Sequence, residues 1–250
     1  MAYRLLAAIL GGVFICVATI AQAATLDRIR DSGAITLGVR SDAAPFSSVG
    51  PDGTVSGYTI AICEAVAGAV RNHLQRDDIS IKLVSVTAEN RFEMLQEGKI
   101  DLLCGATTMT LSRREIVDFS LMTFVTGSSV LFRKDGPSNF VDLAGQKVGV
   151  RAGTTREDGL KNALQEAGIA AQIVAVGSHE DGRSALEAGE IAAYFGDRAI
   201  LAMLAFGAAN PENLRLSQRF FSYEPYALAL QKGDDDFRLL SDTTLARLYR

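Results

Sequence analysis

From Ile35 onward the chain alternates short apolar runs with amphipathic ones, and the alternation runs through once and then restarts. Ile35 to Val39 reads as a buried strand. Tyr58 to Leu74 reads as a helix, with Ile62, Val66, Val70 and Leu74 at four-residue spacing on one face. Ile79 to Val86 is a second strand, Glu89 to Glu97 a short helix stopped at Gly98, and Ile100 to Cys104 a third strand. That cadence predicts an α/β fold with a largely parallel sheet and right-handed crossovers.

The second round comprises a strand at Lys147 to Val150, a helix at Thr155 to Ala167 and a strand at Ile173 to Val176. A helix at Arg183 to Ala188, a strand at Ala192 to Phe195 and a helix at Arg198 to Phe206 follow. Leu121 to Lys134 lacks helical period and reads as an extended crossover between the rounds. Phe220 to Leu230 reads as a second, leading to a final helix from Asp235. The expected molecule has two lobes, with lobe 1 over residues 24–125, lobe 2 over 126–223, and a return to lobe 1 over 224–250. Ligands of open α/β sheets bind beyond the carboxyl ends of the strands, so the lobes should face a shared cleft.

Residues 1–23 carry the parts of a secretory signal: Arg4, the apolar stretch Leu5 to Ile20, and the small-x-small exit Ala21-Gln22-Ala23. A membrane anchor is the competing reading, and Gly11, Gly12 and the exit favour cleavage. Cys16 lacks the small residues that precede a lipidated cysteine. The signal removes one of the 25 basic side chains and none of the 29 acidic ones, leaving a mildly acidic chain without a footprint for nucleic acid or anionic membrane. Cys63 and Cys104 then remain, as a disulfide or as two buried thiols. With His73 and His179 the only histidines, a structural zinc site has little support, and no cofactor motif is present.

The candidate chemistry is that of binding. In Asp101 to Ser120, Gly105 and Ala106 permit close backbone approach, and Thr107, Thr108 and Thr110 lie near Arg113 and Arg114. A guanidinium beside hydroxyls and free amides suits a carboxylate; a capped helix start with surface arginines is the plainer alternative. Gly153-Thr154-Thr155 opens a helix and suits an anion or an ordinary N-cap. Asp197 closes a strand, either pointing into a cleft or capping the next helix. Arg40 follows a buried strand. Arg91 sits in a first helical turn, where the dipole disfavours a cation, so an external anion or an ion pair must answer it. His179, in the polar run Gly177 to Gly182, reads as a solvated loop residue. No nucleophile–base pair stands out, so no catalytic residue is expected.

Taken together, Gly57-Tyr58-Thr59-Ile60, Asn90-Arg91, Asp101 to Ser120, Gly153-Thr154-Thr155 and Glu224-Pro225-Tyr226 resemble the family 3 periplasmic solute-binding proteins of ABC transporters, in their glutamate/aspartate branch. The resemblance runs from about Leu26 to Arg250 and implies the type II periplasmic-binding-protein fold. It implies a monomeric periplasmic protein that delivers an acidic amino acid to an inner-membrane permease. By the resemblance, Arg113 and Thr108 take the α-carboxylate, with Ala106 beside them. Thr155 supplies a hydroxyl from lobe 2 and Asp197 receives the α-ammonium. Arg40, Arg91 and His179 reach the side-chain carboxylate. A neutral solute would then leave Arg40 and Arg91 buried without partners. Ala88 and Ala106 stand where close relatives carry hydroxyls, and relatives continue beyond the helix in which this chain reaches Arg250. A dehydratase-like enzyme similar to the periplasmic cyclohexadienyl dehydratases, with His179 or Glu180 as acid or base, is the competing function, and a sensing module is a third.

Overall fold

Leu102, Leu103 and Cys104 are all fully buried, yet they point to opposite sides of one strand. Leu102 and Cys104 join one apolar cluster and Leu103 joins another. A strand apolar at every position belongs in a sheet covered on both faces, and that requirement organises the molecule.

The structure, a computed structural model, describes residues 24–250; the secretory-signal reading lies outside them. In chain order, α1 (Thr25–Ser32) leads to β1 (Ala34–Val39), then to β2 (Asp42–Ala43), β3 (Ser47–Val49) and β4 (Val55–Ser56), and to α2 (Tyr58–Leu74). There follow β5 (Ser80–Ser85), α3 (Arg91–Gln96), β6 (Leu102–Cys104), α4 (Leu111–Arg114) and β7 (Asp118–Thr126). The next set is β8 (Ser128–Arg133), β9 (Lys147–Arg151), α5 (Thr155–Glu166), β10 (Gln172–Val176) and α6 (His179–Glu187). It continues through β11 (Ala193–Asp197), α7 (Arg198–Phe206) and β12 (Leu214–Leu216), before β13 (Glu224–Leu230) and α8 (Asp235–Leu248).

Two five-stranded sheets result, ordered β5-β1-β6-β13-β7 and β10-β9-β11-β8-β12. Each is parallel at one side (β5-β1-β6 and β10-β9-β11) and antiparallel at the other. The expectation of largely parallel sheets therefore holds for the β/α cadence alone; the strands that cross between the sheets add antiparallel pairs. Leu121 to Lys134 is not one open crossover either: β7 belongs to the first sheet and β8 to the second, with Gly127 between them. The short sheet β2-β3-β4 was not foreseen.

The crossing point is tight. A side chain on Gly127 would put its Cβ 2.3 Å from the Ser222 carbonyl oxygen, and the Ser128 amide donates to Ser222 Oγ at 3.0 Å. In the second sheet the two-sided pattern recurs: Val130, Phe132, Ala193 and Phe195 join one cluster, Leu131 and Tyr194 the other.

Cys63 of α2 and Cys104 of β6 form a disulfide across 6.2 Å between Cα atoms, resolving the choice between a bond and two thiols. It fastens the long helix to the strand that opens into the cleft. Replacing both cysteines by alanine should destabilise the protein by about 2–4 kcal/mol, from the loop entropy restored to the unfolded chain. Urea unfolding followed by circular dichroism checks it; an unchanged midpoint would contradict the role.

Candidate functional site

Every strand that enters the cleft delivers a polar side chain as it ends. β1 ends at Val39 and presents Arg40; β6 ends at Cys104 and leads through Gly105 and Ala106 to Thr108. In the other lobe β9 leads to Thr154 and Thr155, β10 to His179, and β11 ends on Asp197. Carboxyl ends of parallel strands are where an α/β sheet has free backbone and room for a ligand. Arg40, Arg91, Ala106, Thr108, Arg113, Thr155, His179 and Asp197, scattered over nearly 160 positions, line one small cavity together with Thr154, Arg156 and Ile200.

Arg91 is the most exacting residue there. It is 1% exposed, makes no ion pair among the described residues, and leaves Nε without a hydrogen bond. Its guanidinium stacks over Phe92 at 4.9 Å, and Arg113 covers the same ring at 5.1 Å. Burial, with Arg113, Arg40 and Arg156 adding like charge, pushes the Arg91 pKa well below the usual arginine value. Burial and Arg156 likewise bring Arg113 down to about 10. Arg113 donates from Nη1 to the Thr108 carbonyl at 2.8 Å. Two concentrated cations without carboxylate partners make a receptor for anionic groups.

Arg40 departs from its expected part. Its Nε donates to Asp42 Oδ1 at 2.8 Å, so it has a carboxylate partner within the protein. The shortage of partners thus rests on Arg91 and Arg113. Asp197 starts α7, but its side chain makes no cap; it pairs with Arg156. Burial raises the Asp197 carboxyl pKa, and Arg156 opposes that rise. Thr154, not Thr155, caps α5, accepting from the Arg156 amide at 3.3 Å.

His179 is no loop residue. Helix α6 begins at His179 rather than Arg183, because Ser178 caps it by accepting from the Asp181 amide at 3.0 Å. The imidazole is buried, with Nδ1 2.9 Å from the Tyr194 hydroxyl. Burial, reinforced by Arg40, Arg151 and Arg156 against the pull of Asp42, lowers its pKa to about 3. The ring is therefore neutral at neutral pH. The ring and the Tyr194 hydroxyl share one hydrogen bond at Nδ1, which orients the imidazole and leaves Nε2 for another partner.

Five charged residues of this region, Arg156, Glu224, Arg151, Asp42 and Glu89, were not assigned to the site by the sequence. Arg156 of α5 pairs with Asp197 in its own lobe and, from Nη2, with Glu224 Oε2 of β13 at 2.7 Å and Thr108 Oγ1 at 2.9 Å. Arg151 joins Asp42 at 3.1 Å and Glu89 at 2.5 Å, again from one lobe to the other. Burial opposes ionisation of Glu89, but hydrogen bonds from Arg151, Thr87 and its own backbone amide, with the charge of Arg151, together outweigh it and bring the pKa down to about 2. The signals existed. Arg156 stands in a first helical turn as Arg91 does, and Arg151 follows a buried strand as Arg40 does. Gly153 lets the lobes meet here, with φ +67° and the Glu89 side chain 3.1 Å from the place of a Cβ.

Two α/β lobes closing on a charged cavity at their strand ends define a ligand-capturing protein of the periplasmic-binding type. The chain belongs to the bacterial extracellular solute-binding proteins, family 3, which it matches over residues 35–250. It is 35% identical to the glutamate/aspartate import solute-binding protein of Salmonella typhimurium, over 91% of this chain and 76% of that one. Among solved structures, it resembles a periplasmic binding protein from Brucella ovis with glutathione bound (26% identity, TM-score 0.82, 91% and 73% of the two chains). It also resembles an ancestral amino-acid-binding protein, a precursor of cyclohexadienyl dehydratase (26% identity, TM-score 0.77, 91% and 94%).

The acid sensitivity of this region follows from His179. Its folded pKa of about 3 lies below the ordinary 6.5, so as pH falls the unfolded chain takes up the proton first. The stabilisation is complete above pH 6.5 and declines as pH falls toward 3. His179→Gln should flatten the dependence of the urea midpoint on pH across that window; a dependence as steep as in wild type would assign the titration elsewhere.

Proposed function

We propose that this protein captures an acidic amino acid, glutamate or aspartate, outside the cytoplasmic membrane and presents it to the permease of an ABC importer. One observation carries the reading: Arg91, buried, and Arg113, half-buried, cover the same Phe92 ring without a carboxylate partner among the described residues, and both line the small cavity between the lobes. A solute with two carboxylates neutralises both, whereas one with a single carboxylate strands a buried cation at a cost of several kcal/mol. The name of the Salmonella relative points to the same solutes.

Arg113 and Thr108 hold one carboxylate; Arg91 holds the other, with His179 donating from lobe 2. Because the lining comes from both lobes, solute and closure reinforce one another, and the permease reads the closed form. Residues 1–23 serve as the cleaved export signal, the protein works as a periplasmic monomer, and the lobes meet near residues 125–126 and 223–224. A catalytic role is disfavoured by His179, which is neutral and hydrogen-bonded to Tyr194, and by Glu180, which faces solvent paired with Arg183.

Arg91→Ala should weaken glutamate by about 2–5 kcal/mol while changing glutamine far less. Isothermal titration calorimetry with both ligands tests this; equal losses would refute the assignment of Arg91 to the side-chain carboxylate.

A further inference from the structure

The cavity wall carries four guanidiniums, from Arg40, Arg91, Arg113 and Arg156, and a single carboxylate, Asp197. That carboxylate is already engaged by Arg156. An α-ammonium shares a carbon with its carboxylate, so its nitrogen lies about 3 Å from the carboxylate oxygens. A carboxylate seated on Arg113 therefore places any ammonium close to Thr108, whose carbonyl Arg113 holds. Arg156 Nη2 is there, 2.9 Å from Thr108 Oγ1 and 2.7 Å from Glu224 Oε2. Asp197 Oδ1, Glu224 Oε2 and Thr108 Oγ1, side-chain acceptors suited to an ammonium, each already accept from this one residue.

We infer that Arg156 is a resident cation in the place of the α-ammonium, so the site also accepts four- and five-carbon dicarboxylates without an amino group. The inference rests on the proposed capture of a two-carboxylate solute and widens its ligand class. An amino group entering beside Arg156 shares its acceptors with that guanidinium and meets like charge, so its absence costs little affinity. The two carboxylates keep Arg91 and Arg113, which carry the binding. Specificity at this end of the cavity is thus set by a side chain of lobe 2 that also reaches Thr108 and Glu224 of the other sheet.

Calorimetric titration of the purified protein with L-glutamate, glutarate and 2-oxoglutarate tests the inference. Glutarate and 2-oxoglutarate should bind within about tenfold of L-glutamate. In Arg156→Ser, which releases Asp197 and Glu224, the preference for glutamate over glutarate should rise by about tenfold or more. A wild-type preference for glutamate beyond about tenfold over both others overturns the inference and leaves the acidic-amino-acid reading standing. Failure of all three to bind overturns both. An unchanged preference in the variant removes Arg156 from the explanation. If circular dichroism shows that Arg156→Ser does not fold, Arg156→Lys, which cannot bridge two carboxylates as a fork does, should shift the preference in the same direction. The wild-type series decides the ligand class without either variant.

Discussion

Concentrating guanidiniums away from water is the constraint on which this structure turns. Arg40, Arg91, Arg151 and Arg156 are each nearly inaccessible, and Arg113 is close beside them. Such a group persists only if anions answer it. The protein answers in part: Asp42 serves Arg40 and Arg151, Glu89 serves Arg151, and Asp197 and Glu224 serve Arg156. Arg91 and Arg113 are left for the solute. The division between arginines tied to the protein and arginines held in reserve is what makes the cavity selective for anionic groups.

The architecture serves that division. Parallel strands end together, so arginines, threonines, an aspartate and a histidine distant in sequence converge at one level of the cleft. Covering each sheet on both faces makes the strand ends rigid, and the Cys63–Cys104 bond fixes one of them to α2. The crossing strands then carry both sides of the cleft on a narrow connection at Gly127 and Ser222.

Much of this was legible in the sequence, for identifiable reasons. Tyr58–Leu74 and Arg198–Phe206 coincide with their expected bounds because their apolar spacing, and for the first a preceding glycine, mark both ends. Arg91 was conspicuous because a cation in a first helical turn calls for an anion. Arg156 offered the same signal but sat behind a threonine cap that drew the reading to itself. His179 was misplaced because Gly177 to Gly182 is polar, and polarity suggests a loop; the Ser178 cap shows that the run opens a helix. Asp42 gave no local sign, and Glu224 entered only as part of the Glu224-Pro225-Tyr226 motif, without a role. Their importance lies in which arginine they meet, and that is decided by a sheet order unavailable from spacing.

The Arg151 bridges have a kinetic side. They join the lobes outside the cavity wall, reaching Asp42 and Glu89 rather than the groups that face a solute. Any stability they lend the closed, empty form reduces the fraction of molecules open to solute, and apparent affinity falls by that same fraction. Capture then requires that these ion pairs part before the solute enters the cleft. Ionic strength, which screens exposed charges such as Glu89, becomes a control on the speed of uptake as well as on its strength.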